Sequence, residues 1–580
     1  MKKRFPRLAL VIILIFLVAS RFLGNNYDNL THLHPDERWL VMVTGKLHFF
    51  DRLDPDFFAY GSLPIYTLKA LAQSSDALLH TEFDSYDGLL VLGRGLSSVI
   101  DILIAIIVYQ LAKKVGKNKS VGIFALISYT LFFFPIQNSN FFIVDPFVSL
   151  FLSATILAII QYLKSPKPKW AVVTALCYGL LLACKITPII FLPLLVGYIF
   201  LIPLLRTNLS DKIQSALRSD IHRILVATGI KKSTRSSLQP KPIAMAVLLS
   251  ACFLLATNIF AFLGSPYTIL HYKQFLTEIS AQLKMNSDAY IFPYTLQYVD
   301  TTPYIYYLKQ IFLWGIGPLL SLSVVGGIII TMKQIVGLLK KKKFGRLIQE
   351  PYFLLTLFSI FYFLVLGRSA VKFMRYLLPL YPMLAVFSGV FLSNLWQDID
   401  KKYNLKKIIV LVILTLATAW TGSFLSIYTR PHTRITATNW ILQHIPAGST
   451  LAEEHWDDRL PLTAAGSYNY AELPLYELPD DATKWRLVNS RLASADYIVL
   501  TSNRLFGSLP KLADCSSHIK CYPLTTSYYE DLFANRLGFK KVAEFTSRPS
   551  MFGFEIIDDN ADESFTVYDH PRVIIFQKQP

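Results

Sequence analysis

The sequence predicts a polytopic α-helical membrane protein: about eleven transmembrane helices, interfacial helices in the first outer loop and a C-terminal extracytoplasmic α/β domain. Three observations lead to this class. The 580 residues are 53% hydrophobic and only 17% charged, which is too apolar for a soluble protein. Several apolar segments approach the roughly 20 residues that a helix needs to cross a bilayer. From residue 429 onward the chain is instead polar and rich in turn residues.

The first apolar run, residues 8–20, follows a basic start and has two interpretations. It is either a cleaved signal peptide or an uncleaved anchor that extends through Leu23, and the sequence favours the anchor because further spans follow. Both interpretations place the next loop outside. The later spans are predicted near 88–112, 120–137, 143–163, 169–184, 186–205, 242–264, 306–332, 351–367, 374–396 and 408–428.

The net charge of +18 reports membrane topology and gives no ground for a nucleic-acid partner. Up to residue 428 there are 42 Lys and Arg against 20 Asp and Glu, whereas the remainder has 15 against 19. The excess lies in short loops and in a basic loop at 206–241, which the positive-inside rule assigns to the cytoplasm. The N-terminus is then cytoplasmic, and the outer segments include a first loop at 24–87 and a large loop at 265–305.

The chain is predicted to divide into a transmembrane domain, 1–428, and an extracytoplasmic domain, 429–580. Strand-like and helical patterns alternate in the second domain, which is typical of a small α/β fold. Cys515 and Cys521 are close enough in sequence to form a disulfide in an oxidising compartment, although the spacing does not demand one. The acidic run EEHWDD (453–458) permits a metal site, but a solvated loop is favoured.

Three acids are candidate catalytic residues. Asp36 and Glu37 follow a His-Pro corner in the first outer loop, within THLHPDERWL. Asp145 lies at the outer mouth of a predicted span, where an ionisable group is costly unless it is paired or functional. The alternatives without a catalytic role are that Asp36 and Glu37 lie in a solvated loop and that Asp145, before a proline, is a helix N-cap.

Cations are predicted at the same membrane level. Each one alone is equally consistent with a side chain that snorkels to the headgroups. Together they supply the charge needed to hold a lipid phosphate. A carboxylate that accepts a proton from an attacking hydroxyl, beside cations that stabilise a phosphate leaving group, fits sugar transfer from a lipid phosphate. The candidates are Arg94, Lys185, Lys372 and Arg375.

The sequence resembles a known family at six ordered motifs. It is similar to the phospholipid-carrier-dependent glycosyltransferases of the C-type integral-membrane superfamily, in the protein O-mannosyltransferase and aminoarabinose-transferase branch. Each motif alone is weak, and their shared order over about 430 residues carries the resemblance. The motifs are HPDE (34–37), YGSLPIY (60–66), VLGRGLSS (91–98), VDPFVSLF (144–151), CKITPIIFLP (184–193) and KFMRYLLPLYP (372–382).

This resemblance implies an inverting glycosyltransferase of the plasma (inner) membrane. Its donor would be a polyprenyl-phosphate-linked sugar, and its acceptor a hydroxyl on a protein, lipid or glycan. Asp36 would be the general base, with Glu37 beside it and Asp145 as the second acid. The residues that would bind the substrate and its carrier phosphate are His34, Tyr60, Arg94, Lys185, Lys372 and Arg375. The outer domain would cover the site or bind the acceptor.

Several alternatives stay open at this stage. Members of the family differ in metal dependence, so no cofactor is certain, and Mg or Mn held by Asp36 and Asp145 remains an option. A transporter or flippase of lipid-linked sugars, a glycan ligase and a non-catalytic sensor are the competing functions. A transporter predicts charges or broken helices near the bilayer midplane, and none is evident in the sequence.

Overall fold

The computed structural model describes residues 7–206, 241–397 and 405–580. The basic loop predicted at 206–241 therefore lies almost wholly outside the described residues. The helices up to residue 425 are α1 (Arg7–Phe22), α2 (Pro35–Gly45), α3 (Leu63–Leu79), α4 (Tyr86–Val115), α5 (Lys119–Leu131), α6 (Phe133–Ser139), α7 (Val144–Lys164), α8 (Pro168–Cys184), α9 (Leu192–Arg206), α10 (Lys241–Gly264), α11 (Tyr267–Leu270), α12 (Tyr272–Ser287), α13 (Ile305–Gln310), α14 (Pro318–Lys340), α15 (Phe344–Ile348), α16 (Pro351–Gly367), α17 (Tyr381–Gln397) and α18 (Leu405–Leu425).

The helices confirm the polytopic class. Among the described residues seven helices are long and apolar enough to cross a membrane, or eight if the bent pair α5 and α6 forms one span. Three further apolar helices are shorter: Leu8–Phe22, Pro168–Cys184 and Pro351–Gly367. The two helices of the first outer loop, α2 and α3, precede the first long span, as predicted for that loop. The count of eleven spans stays a prediction.

One predicted span is broken. α5 and α6 meet at Phe132 with a bend of 61°, which leaves the last carbonyls of α5 without helical partners. Arg21 donates to the carbonyls of Tyr129 and Thr130 at 3.1 and 2.8 Å, and Thr421 donates to that of Leu131 at 2.6 Å. Side chains of neighbouring helices thus provide hydrogen bonds to the carbonyl groups that the break leaves unpaired, as an apolar environment requires.

A buried ion pair joins two of the apolar helices. Arg21 of α1 forms a buried ion pair with Asp101 of α4 at 2.8 Å, and the Tyr129 hydroxyl donates to the same carboxylate at 2.6 Å. Every group in this network has a partner within the bundle. It joins α1, α4 and α5, and its saturation indicates a structural role.

The span predicted over 306–332 begins later than expected. α13 is followed by a π-turn at Ile311–Gly315, and the long helix starts only at Pro318. Gly317 separates the two with φ +88°, and a Cβ there would lie 2.7 Å from the Trp420 ring. Glycine tolerates that left-handed backbone. The continuous apolar sequence concealed this break, since both sides of it are apolar.

The outer domain is a mixed α/β fold, in agreement with the prediction. Its five-stranded sheet has the order β2-β1-β3-β7-β4, in which β1 pairs in parallel with β2 and β3, and β7 pairs antiparallel with β3 and β4. Cys515 and Cys521 form a disulfide. The elements are α19 (Thr433–His444), β1 (Thr450–Glu454), β2 (Asn469–Leu473), α20 (Ala482–Ser494), β3 (Tyr497–Leu500), α21 (Pro523–Phe533), β4 (Phe539–Phe545), β5 (Ser550–Met551), β6 (Phe554–Glu555), α22 (Glu563–Thr566) and β7 (Val573–Lys578).

The acidic run 453–458 is not the solvated loop that the sequence favoured. Glu453 and Glu454 lie in β1 and are buried. Arg434 of α19 binds Asp457 at 2.8 Å and Asp458 at 2.5 Å. The run therefore ties the first helix of the outer domain to its sheet. Arginines pair with Glu453, Asp457 and Asp458, and Glu454 instead accepts a hydrogen bond from the Tyr529 hydroxyl.

A segment of the outer domain inserts into the membrane domain, and we call residues 556–570 the docking segment. Phe565 is completely buried in the core of the helical bundle, 5.7 Å from the ring of Phe424 and 5.8 Å from that of Phe133. Asp569 accepts hydrogen bonds from Gln137 of α6 at 3.0 Å and from Tyr428 at 2.8 Å. The two domains therefore share one packed interface.

Candidate active site

The HPDE motif begins α2, and each of its residues has a distinct place. His34 is the N-cap, with extended backbone and with its Nδ1 accepting from the Glu37 amide at 3.4 Å. Pro35 occupies the first helical position, where its missing N–H costs nothing. Asp36 and Glu37 are neighbours in the first turn, so their side chains leave the helix about 100° apart. They consequently meet different partners.

Glu37 is buried beneath the site. Its side chain is 0% exposed and forms a forked ion pair with Arg94 of α4, at 2.9 and 2.7 Å. It also accepts from the Phe142 amide at 2.7 Å. This geometry joins the first outer loop to α4 and to the turn before α7. The predicted place of Glu37 among the catalytic acids is therefore corrected to a structural one.

The predicted contact of Arg94 with the carrier phosphate is also corrected. All five N–H donors of its guanidinium are engaged, by Glu37, by Asp28 and by the carbonyl of Asn25. Its side chain and those of both acids are 0% exposed, and the Tyr27 ring covers it at 4.6 Å. Because Arg94 has no free donor and no exposed surface, it cannot bind the predicted carrier phosphate in this arrangement.

Asp36 points the other way and pairs with Arg375. Its side chain keeps 28% of its surface exposed and that of Arg375 keeps 13%. Burial acts to raise the pKa of Asp36, but Arg375 and Lys185 outweigh it and hold the pKa below its usual value. Asp36 is therefore an ionised, partly accessible carboxylate beside a guanidinium.

A second ion pair lies in the same cluster. Lys185, directly after α8, binds Asp145 of α7 at 3.1 Å. Its ammonium group lies 5.4 Å from the centre of the Tyr60 ring and 5.2 Å from that of Tyr376. The alternative interpretation of Asp145 as a helix cap is wrong, because Ile143 is the N-cap of α7 and the Asp145 side chain caps nothing. Asp145 instead positions Lys185.

Lys372 is placed differently from the other predicted cations. It is buried, and its ammonium group donates to the carbonyl of Ala370 at 2.9 Å. Burial lowers its pKa. Among the described residues no carboxylate pairs with it. Its predicted contact with the carrier phosphate stays a prediction.

Two residues that the sequence did not single out complete the walls. The Tyr568 ring of the docking segment lies 3.9 Å from the His34 ring. Tyr294, from the loop after α12, packs on Phe373 with ring centres 6.2 Å apart. Both tyrosines interact electrostatically with Asp36 and Arg375. No local pattern marks either residue, because each reaches the site only through the tertiary fold.

The acids do not form a ready metal centre. In the described ranges no group of three or more His, Cys, Asp and Glu is arranged to hold an ion. Asp36 and Asp145, the two predicted metal ligands, are each neutralised by a cation. The donor set therefore does not fit Mg or Mn with these pairs in place, and the chemistry below is derived from protein groups.

Comparisons with known proteins find a family match over part of the chain and a fold shared with solved structures. Residues 82–265 match the family described as dolichyl-phosphate-mannose-protein mannosyltransferase. That segment, roughly a third of the chain, contains Arg94, Asp145 and Lys185. A search of curated protein sequences finds no match.

Three solved structures are similar to this one. The Archaeoglobus fulgidus oligosaccharyltransferase in its apo form shares 13% identity, covers 96% of this chain and 76% of its own, and has a TM-score of 0.52. ArnT from Cupriavidus metallidurans shares 12% over 74% of this chain and 66% of its own, with a TM-score of 0.43. The Saccharomyces cerevisiae protein O-mannosyltransferase Pmt1–Pmt2 complex bound to the sugar donor shares 16% over 47% and 35%, with a TM-score of 0.30.

The predicted resemblance and fold class are confirmed by these comparisons. The family match falls on a segment that holds three of the predicted site residues. The oligosaccharyltransferase likeness extends over nearly the whole chain, including the outer domain. At this identity the likeness shows the fold alone, so the reaction has to be argued from the site.

Proposed function

We propose that this protein is an integral-membrane, inverting glycosyltransferase that moves a sugar from a polyprenyl-phosphate carrier to an extracytoplasmic hydroxyl. The observation that carries the proposal is the pairing of Asp36 with Arg375 beside Lys185. An accessible carboxylate and two cations at the ends of membrane helices provide a base and a phosphate clamp at one place. The family match over residues 82–265 supports the same reaction class.

The membrane surface of the site suits an amphiphilic donor. Arg375 is the second residue of the 3₁₀ turn Met374–Leu380, and Leu380 at its other end lines an apolar cavity of about 220 Å³. The cavity walls come from α13 and the turn after it and from α14, α16 and α17, and apart from three hydroxyl side chains they are aliphatic and aromatic. A carrier whose phosphate binds Arg375 and Lys185 would thus place isoprenoid units along an apolar wall.

The transfer step uses groups of this chain. The acceptor oxygen attacks the anomeric carbon of the sugar as the bond from that carbon to the phosphate oxygen breaks. The electron pair leaves with the polyprenyl phosphate, whose charge Arg375 and Lys185 stabilise. Asp36 accepts the proton of the attacking hydroxyl. A single displacement of this kind inverts the anomeric configuration.

The Asp36–Arg375 pair also explains how the base is activated. In the structure Arg375 holds the pKa of Asp36 low, which makes its carboxylate a weak base. A bound phosphate competes for the guanidinium as a stronger, forked partner. Asp36 then loses part of its counter-charge and its pKa rises. The base becomes effective only when the donor is in place.

The orientation belongs to the same proposal. The site and the outer domain lie on one side of the membrane domain, and the basic residues of the short loops favour the other side as cytoplasmic. We place the N-terminus in the cytoplasm, the domain 429–580 outside and the protein in the plasma membrane. We propose that the two domains meet at residues 428 and 429 along the chain. The docking segment follows this boundary in sequence, but its Phe565 packs in the core of the membrane domain.

Two other functions remain as alternatives. A transporter needs midplane charges that change partners, whereas Arg21 and Asp101 are saturated within the bundle. A glycan ligase that uses a lipid pyrophosphate would share the same base and clamp. The identity of the lipid released, phosphate or pyrophosphate, separates it from single-sugar transfer.

The test measures release of polyprenyl phosphate from radiolabelled polyprenyl-phosphate sugars by protein in lipid. Asp36→Asn should lower release by on the order of 100-fold or more, because it removes the base while retaining shape. Asp51→Asn is the matched control, since Asp51 is an exposed acid of the same loop. Wild-type turnover by Asp36→Asn would refute the base assignment, and no release from any sugar phosphate by folded wild type would refute the function.

A further inference from the structure

Three tyrosine hydroxyls around the ion pair of Asp36 and Arg375 have no hydrogen-bond partner among the residues that the structure describes. They belong to Tyr60 of the first outer loop, Tyr294 of the loop 265–305 and Tyr568 of the docking segment. Within the described part of the chain none of the three hydroxyls takes part in a hydrogen bond. None of them is among the completely buried unpaired polar atoms, so each reaches accessible surface.

The three side chains enclose the pair from different directions. The Tyr60 ring lies against the ammonium group of Lys185 at 5.4 Å. The Tyr568 ring lies tilted against the ring of His34, with centres 3.9 Å apart, two residues before Asp36. Tyr294 packs on Phe373, whose ring centre is 5.2 Å from the Arg375 guanidinium. Each tyrosine interacts electrostatically with both Asp36 and Arg375.

The hydroxyls are hydrogen-bond donors as well as acceptors. Burial and the neighbouring Asp36 raise the pKa of Tyr60, Tyr294 and Tyr568, to about 12 for Tyr294. All three are therefore protonated at neutral pH. A phenolic O–H both donates and accepts, which matches the hydroxyl groups of a sugar. The aromatic faces add apolar surface for the sugar ring.

The charges of the site decide which kind of sugar fits. Asp36 is neutralised by Arg375, Asp145 by Lys185 and Glu563 by Arg504 at 2.8 Å. Arg504 also lies 5.9 Å from the Tyr294 ring, so this third pair borders the same walls. A bound donor frees only Asp36, and that carboxylate is then used to accept the proton of the attacking hydroxyl, so none of these carboxylates remains to neutralise a sugar ammonium group. Placing a cationic amino sugar here would leave its charge without a counter-ion.

We propose that Tyr60, Tyr294 and Tyr568 bind the transferred sugar through its hydroxyl groups, and that the protein selects a neutral sugar over a positively charged amino sugar. The inference rests on the proposed function and names its substrate class. Tyr294 and Tyr568 are specificity-determining residues that the outer loop and the outer domain supply. The outer domain therefore takes part in donor recognition.

The test compares Tyr→Phe variants, which remove one oxygen and retain the ring. Each substitution at Tyr60, Tyr294 or Tyr568 should lower kcat/KM for a neutral polyprenyl-phosphate hexose by about five- to tenfold, the usual effect of one hydrogen bond. Tyr272→Phe is the matched control, because Tyr272 is an exposed tyrosine of α12. Wild type should prefer the hexose donor over the matching amino-sugar donor by at least roughly tenfold.

Deoxy donors make the assignment specific. Where a tyrosine contacts a given sugar hydroxyl, the donor that lacks this hydroxyl should lose its sensitivity to the Tyr→Phe change. Equal losses with every deoxy donor would overturn direct contact, and so would wild-type kcat/KM in all three variants. A preference of wild type for the amino-sugar donor would overturn the selectivity. Each of these outcomes requires carrier release, so none is confused with failure of the proposed function, in which no sugar phosphate is turned over.

Discussion

Replacing Arg94 by methionine should destabilise the membrane domain, whereas the same change at Arg375 should leave its stability nearly unchanged and weaken donor binding. The two arginines bind adjacent acids of one helix turn, Glu37 and Asp36. Sequence reasoning gave both arginines the same role at the carrier phosphate. The structure gives them opposite roles, and their burial sets the size of each effect.

The loss of stability in Arg94→Met follows from the two buried acids that lose their partner. Asp28 and Glu37 are both 0% exposed. Removing one partner of a buried ion pair costs about 3–5 kcal/mol. Both acids still accept hydrogen bonds from backbone N–H groups, such as those of Leu33 and Phe142. We therefore use the cost of breaking one buried ion pair for the loss of both pairs. At about 2–4 °C per kcal/mol, the apparent Tm should fall by on the order of 10 °C.

The magnitude for Arg375 is smaller. Asp36 keeps 28% of its side-chain surface and can be hydrated when its partner is gone. The loss of such a partly exposed pair costs about 1 kcal/mol. The Tm of Arg375→Met should therefore stay close to that of wild type, while binding of radiolabelled polyprenyl phosphate should fall by about tenfold or more, since a charged hydrogen-bonding partner is lost.

The assay measures the Tm in detergent and the binding of radiolabelled polyprenyl phosphate for both variants. A third protein, Asp28→Asn with Glu37→Gln and Arg94→Met, removes the charges together and should recover part of the lost Tm. If Arg94→Met melted at the wild-type temperature and had lost carrier binding, the structural role of Arg94 would be refuted, and its predicted phosphate contact would be restored.

Three further outcomes are expected. Burial lowers the pKa of His570, but Asp569 and Asp558 raise it to about 10 from 6.5, so its contribution to stability is complete below pH 6.5 and is lost as the pH rises toward 10. The Tm should fall over this range, and His570→Gln should flatten the dependence; an equal slope in that variant would exclude His570. EDTA should leave carrier release unchanged, because Arg375 and Lys185 supply the positive charge, and a tenfold loss that Mn restores would contradict this. Reduction of the disulfide at Cys515 should lower the Tm of the outer domain while leaving carrier release above half of the wild-type rate, since it closes a short external loop; loss of release in folded protein would place that loop at the site.

The sequence predicted those parts of the site that local patterns encode. Asp36, Lys185 and Arg375 lie in short motifs at helix ends, and the hydropathy pattern locates those ends. Burial is a different matter. Arg94 and Arg375 look alike in sequence, and only the fold shows that one is enclosed by Asp28 and Glu37 while the other faces the cleft.

The other features that the sequence did not predict depend on contacts between distant parts of the chain or lie within continuous apolar runs. Tyr568 meets His34 across more than five hundred residues of chain, and no periodicity reports such a contact. The break at Gly317 was hidden because apolar residues flank it on both sides. The pair of Arg21 and Asp101 was missed because a single cation near the end of the first span and a single acid within α4 do not interrupt the apolar runs that contain them.

The docking segment has a consequence for the biosynthesis of the protein. A ribosome delivers the membrane helices first, and this segment follows all of those described in chain order. Until it docks, the cleft lacks the Tyr568 wall and Phe565 is missing from the bundle core. A nascent chain thus carries Asp36 and Arg375 before it has a closed site. The outer domain therefore closes the cleft only after the membrane helices have been made.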